Sequence, residues 1–250
     1  MDRFKVNSYN DNIEFIATNS YTKLFKLFKT LNINKNRIIH VLGAPGTGKS
    51  TNIFHAIDET NLNVYIVKLN LKTGNESSGE VFNIMFQELG SDLGVNSKEE
   101  IYKKLSSFDA ILIADSFHDA HLLNPNMVGF SQWTNKAGLR SFYFYLLCLM
   151  EYLKNRKYYK NVNLIFQTSW RFNFRNKKYD IFTDLGLSSK ILVKLLKIFF
   201  VVIEISYSEE ETIEIVKLYI EDVNVKDIKN YIQKFGFKPR FICQALEKKN

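Results

Sequence analysis

The chain has 250 residues, 46% hydrophobic and 24% charged, the balance of a soluble globular protein with one large domain or a domain plus a small appendage. Two cysteines, Cys148 and Cys243, lie far apart among four scattered histidines; that excludes a metal cluster and favours buried thiols in a reducing compartment over a disulfide. The formal net charge of +8 hints at an anionic partner.

The lead is polar and asparagine-rich, without the apolar stretch of a secretory signal. Apolar residues at 21, 24, 25 and 28 with lysines between them predict an amphipathic helix. Residues 38–42 read as a buried strand and 51–59 as a helix. A second strand is expected over 64–69, a loop over 71–78 and a helix over 81–89. Ser97-Lys98-Glu99-Glu100 is a capping box opening a further helix to about 106. The third strand, 110–114, ends in Asp115, and a long polar connection covers 116–138.

Residues 142–153 are apolar on nearly all sides, which predicts a buried helix. Strands four and five are expected at 162–166 and 198–205. The apolar runs 142–150 and 191–203 are too short for a membrane span, and the second carries Lys194 and Lys197. The chain is therefore expected in the cytoplasm, or the nucleus in a eukaryote, away from membranes.

A second capping box, Ser208 to Glu211, opens a helix to about 220. Another follows over 225–235 and stops at Gly236. Pro239 is suited to the first turn of a third, 240–248. Strands alternating with helices imply an α/β fold: a parallel five-stranded sheet with helices on both faces. The expected division is 1–207 for this α/β domain and 208–250 for a small three-helix lid.

One stretch carries the chemistry. Gly43-Ala44-Pro45-Gly46-Thr47-Gly48-Lys49-Ser50 matches G-x-x-x-x-G-K-[ST] at every fixed position, between a strand and a helix. It reads as the phosphate-binding loop of a P-loop NTPase. The glycines let successive N–H groups point at phosphate oxygens beside the positive end of the helix. Lys49 would reach the β- and γ-phosphates and the Ser50 hydroxyl would ligate Mg2+, with Thr51 closing the cradle. Asp115, at the carboxyl end of the third strand, is the expected second holder of Mg2+.

With these residues in place the chain resembles the AAA+ ATPases over essentially its whole length, in particular the origin-recognition and STAND-type branch. The resemblance implies ATP and Mg2+ as cofactors. It makes Asn70 a polar switch residue and Gln167-Thr168-Ser169 the sensor 1 position, with Thr168 the catalytic member beside Lys49 and Asp115. Gly236-Phe237-Lys238-Pro239-Arg240 is similar to the G-x-x-P-R opening of the lid's last helix, which makes Arg240 sensor 2. A guanidinium at a helix N-terminus opposes the dipole, so a nearby anion gives a reason to keep it there.

Two departures temper the expected rate. Ser116 follows Asp115 where the family carries a water-polarising Glu; Asp119, Glu76 and Glu80 are the candidate substitutes. No arginine lies between Arg175 and Arg240, so Arg171 and Arg175 are the candidate arginine fingers. Asp115-Ser116 also suits a RecA/KaiC-like ATPase, though Asn70 and Leu71 stand where that branch has its Glu. A GTPase or nucleotide kinase fits less well.

Basic residues run from Lys154 to Lys178 without an acid, interleaved with aromatics, which can suit nucleic acid. Strand four divides the run, so DNA is the less favoured partner beside a protein or an oligomer of this chain. Two functions remain open: an ATPase driving a remodelling cycle, or a nucleotide-gated binding module that hydrolyses slowly or not at all.

Overall fold

The computed structural model describes residues 15–67, 76–113, 140–168, 171–174 and 177–248. Asn70, Asp115, Ser116, Asp119, Ser169, Arg175 and the 116–138 connection lie outside them. The backbone begins with helix α1, Asn19–Phe28, then strand β1, Ile38–Leu42, and helix α2, Lys49–Thr60. Strand β2, Val64–Ile66, precedes helices α3, Ser78–Leu93, and α4, Lys98–Leu105. Strand β3 is Ala110–Ile113; helices α5, Arg140–Lys154, and α6, Arg156–Tyr159, lead to strand β4, Asn163–Thr168. A hairpin follows, β5, Arg171–Phe174, and β6, Lys177–Asp180. Helix α7, Leu187–Phe199, and strand β7, Val201–Glu204, complete the α/β part. Helices α8, Glu209–Tyr219, α9, Val225–Phe235, and α10, Pro239–Glu247, end the described chain.

The sheet order is β2-β3-β4-β1-β7 and every pairing is parallel, as the alternation of strands and helices implies. Side chains alternate across a strand, so each strand feeds two cores. Ile39, Val41, Leu112 and Ile165 face Tyr21, Leu24 and Phe28 of α1 and Ile53 and Ala56 of α2. Ile111 and Leu164 face the other way, onto Val81, Phe82, Met85, Phe86 and Leu89 of α3 and Ile101 and Tyr102 of α4. A third cluster, Val216, Ile228, Ile232, Ile242 and Leu246, is shared by α8, α9 and α10.

The predicted capping box at Ser208 and Glu211 forms, each capping the other, whereas at Ser97 only half of the box forms. Ser97 Oγ accepts from the Glu100 N–H, and the Glu100 carboxylate accepts from the Ser97 hydroxyl and not from its N–H. A further capping box, Ser77 with Glu80, starts α3 three residues before the predicted 81, and the helix runs four past 89 to its left-handed C-cap, Gly94.

Three expectations are corrected. Helix α5 is not buried all round: Leu147, Cys148 and Tyr152 pack on the core, but Leu146, Leu149, Met150 and Leu153 are about half exposed. It rests on the core by one face, and an all-round apolar pattern does not say which. Ile198 and Phe199 belong to α7, and the fifth strand of the sheet is only Val201–Glu204. The hairpin β5–β6 interrupts the expected run from strand four to strand five. No helix among the described residues is long and apolar enough to cross a membrane. Burial pushes the Cys148 thiol up to about 12 and Cys243 to about 11, which keeps both protonated and weakly nucleophilic.

Candidate phosphate-binding site

The loop leaves β1 at Leu42 and enters α2 at Lys49 through two left-handed glycines, Gly46 at φ 84° and Gly48 at φ 70°. A side chain there is strained. Gly43 is required for a different reason. A Cβ on it would meet Thr47 Oγ1 at 2.8 Å, the Ile205 carbonyl at 3.0 Å and Lys49 Cγ at 3.1 Å. Gly48 is the N-cap of α2 and supplies no side-chain cap, so the helix opens on backbone N–H groups, the arrangement that favours an anion.

Lys49 is only 6% exposed, and its Nζ donates to the carbonyls of Gly43 at 2.7 Å and Ala44 at 3.2 Å. These two oxygens hold the ammonium at the loop, where phosphate oxygens would offer stronger, charged acceptors. Thr47 ties the loop across itself: its Oγ1 donates to the Ala44 carbonyl at 2.8 Å and its N–H at 3.3 Å. Behind the loop, Tyr207 Oη donates to the Thr47 carbonyl at 2.6 Å. Asn52 Nδ2 donates to Tyr207 Oη at 3.0 Å and to the Gly48 carbonyl at 2.8 Å.

At the end of β4 the residue that meets the loop is Gln167 and not the expected Thr168. Gln167, opposite Val41, is the residue that reaches the loop: its Nε2 donates to Ser50 Oγ at 3.1 Å. Thr168, one residue on, lies on the other face of the sheet, its Oγ1 2.9 Å from His40 Nδ1. His40 itself stacks on Phe166 at 5.1 Å and meets Phe200 edge-on at 4.8 Å; burial pushes its pKa down to about 4.

From the far end of the chain, α10 comes down on the loop. Pro239 is its first residue, and the Arg240 N–H donates to the Gly46 carbonyl at 3.2 Å. The Phe241 ring lies 3.5 Å from where a Gly46 Cβ would be, so a side chain at Gly46 would stand directly against this helix. The Arg240 side chain is exposed. Beside it Lys238 pairs with Asp184 at 3.4 Å.

The structure therefore brings Gly43, Ala44, Pro45, Gly46, Thr47, Gly48, Lys49, Ser50, Thr51, Gln167 and the backbone of Arg240 to one loop. Thr168 is not brought to it. The candidate metal carboxylate Asp115 lies outside the described residues, as do Ser116 and Arg175. Arg171 opens the hairpin, paired in register with Asp180. Of the candidate bases, Glu80 accepts from the Ser77 N–H at 2.7 Å, and those hydrogen bonds hold its carboxyl below the usual range. It is committed to capping α3. Tyr207 and Asn52 carry no motif, and nothing in their spacing marked them.

No family model matches the sequence, and no curated protein matches it either. Solved structures do match. One is the replication initiator DnaA bound to AMPPCP and single-stranded DNA, at 15% identity and TM-score 0.42, covering 93% of this chain and 62% of that one. Another is Bacteroides sp. Pif1 in complex with ADP-AlF4, at 15% identity and TM-score 0.34, covering 87% and 47%. This chain spans less than two thirds of either. The fold is a parallel five-stranded α/β sheet with the glycine-rich loop between its first strand and the helix that follows.

Proposed function

We propose that this chain is a Mg2+-ATP-binding ATPase of the AAA+ type, in which nucleotide draws α8–α10 against the α/β part to act on a macromolecular partner. The observation that carries the reading is the contact of α10 with the loop, the Arg240 N–H on the Gly46 carbonyl. A bound polyphosphate would lie against the same loop that this helix touches. The glycine cradle, the buried Lys49 and the uncapped start of α2 fit a polyphosphate; Ser50, with Asp115, would hold the Mg2+. Magnesium would neutralise charge on the phosphates as it builds in the reaction. Gln167, already on Ser50, takes the sensor 1 role in this reading in place of Thr168.

Arg240 is the proposed reader of the γ-phosphate. Arg240→Ala should weaken ATP about 10- to 100-fold while sparing ADP, the size of one charge-assisted hydrogen bond. Paired calorimetric titrations check this; a variant that keeps the wild-type ratio of ATP to ADP affinity removes Arg240 from the role.

Ser116 favours a second reading, a nucleotide-gated module in which the ATP state is the signal and hydrolysis is slow. With Ser116 in place of the family's Glu after Asp115, basal turnover should fall well below about 10 s⁻¹, the enzyme median. A single-turnover assay with labelled ATP, alone and with DNA, decides between the two. Fast hydrolysis without a partner would overturn the gated module and require another water-positioning residue.

A further inference from the structure

Tyr207 stands in the short link between β7 and α8, where the chain passes from the sheet to the last three helices. It is 8% exposed, with its ring in the same core as Ile53 and Ile205. Its hydroxyl is nonetheless brought under the phosphate loop, onto the Thr47 carbonyl at 2.6 Å. Asn52, the fourth residue of α2, donates to that hydroxyl and to the Gly48 carbonyl with the same Nδ2. In doing so it leaves its own Oδ1 buried with no partner. A buried polar atom left unsatisfied costs stability, so the two hydrogen bonds that Nδ2 makes are held against a local penalty. The link is itself stitched down on both sides of Tyr207. The Ile205 N–H donates to the Leu42 carbonyl at 2.7 Å, and Ser20 Oγ donates to the Ser206 carbonyl at 2.7 Å.

We infer that Tyr207 is a positioning residue for the phosphate loop. Its hydroxyl fixes the Thr47–Gly48 peptide by its carbonyl, and thereby aims the Gly48 N–H at the ligand side. The argument is one of peptide geometry. No peptide bond among the described residues is cis, and in a planar trans peptide the C=O and the following N–H point in opposite directions. Gly48 sits at φ 70°, where glycine has many alternatives, so without a hold at the back the peptide has freedom to turn over. Tyr207 removes that freedom from behind. Space is close as well: a Cβ on Gly48 would be 3.2 Å from Tyr207 Oη, so the ring also limits how far the loop can sink. This inference rests on the reading of the loop as a nucleotide site.

Tyr207→Phe keeps the ring and removes the hydroxyl alone. The variant should bind ATP and ADP about 3- to 10-fold more weakly, both by the same factor, because the N–H it frees does not distinguish them. Single-turnover rate at saturating ATP should be unchanged, so the loss falls on KM and not on kcat. In the ligand-free protein the Gly48 amide should exchange its hydrogen faster, a change that packing elsewhere in the core would not localise there. If Tyr207→Phe loses thermal stability yet binds both nucleotides as the wild type does, the tyrosine is only a core residue and the inference falls. If the wild type binds neither nucleotide, the nucleotide reading fails first and takes this one with it.

Discussion

Lys49→Ala should lose ATP binding by about 10²- to 10⁴-fold in an isothermal titration with Mg2+, while the protein stays folded. The expectation follows from where the ammonium is. It is almost fully buried, and its Nζ already donates to two carbonyls of its own loop. A phosphate chain would offer it charged acceptors, and two charge-assisted hydrogen bonds at about 1.5–3 kcal/mol each give the range stated. Alanine also removes a buried charge whose desolvation cost the apo protein bears, so the fold should not suffer as binding does. Equal affinities in wild type and variant would remove this loop from the reading.

Stability should fall by about 3 kcal/mol more in the wild type than in His40→Gln as pH is lowered from 7 to 4. His40 lies between Phe166 and Phe200, and burial lowers its pKa from 6.5 to about 4. Between those values the unfolded chain binds a proton that the folded chain refuses. The stability is therefore complete above about pH 6.5, declines as pH drops through the window, and is gone below about 4. Urea melts of both proteins across this range provide the comparison, since the carboxylates titrate alike in each. Parallel curves would mean that the ring accepts its proton in the folded state.

Much of this was legible because it is written locally. The glycine and lysine spacing of 43–50 needs no tertiary information, and neither do the caps at Ser97 and Ser208, where each serine bonds a residue three positions on. The parallel order followed from alternation of element types. What the sequence concealed depends on which way a face turns. Gln167 and Thr168 are adjacent and both polar; only the register of β4 against β1 sends one to Ser50 and the other to His40. Helix α5 has an apolar residue at almost every step, so its pattern could not reveal that one side stays open. Tyr207 looks like any strand-end aromatic until the backbone carries its hydroxyl across 160 residues to Thr47.

That separation has a consequence for how the protein comes into being. Ser20 is bonded to Ser206, and Asn19 donates to Glu211 at 2.8 Å, contacts that close 186 and 192 residues of chain. Pairings so remote in sequence are slow to form, because loop closure is lost before it is rewarded. On a ribosome, the loop at 43–50 would emerge long before the tyrosine and the helix start that brace it. An early chain should thus carry the motif without the ability to grip a ligand. Nucleotide retention by stalled nascent chains of increasing length should appear late, after residue 207 is clear of the exit tunnel, and the gain should be abrupt.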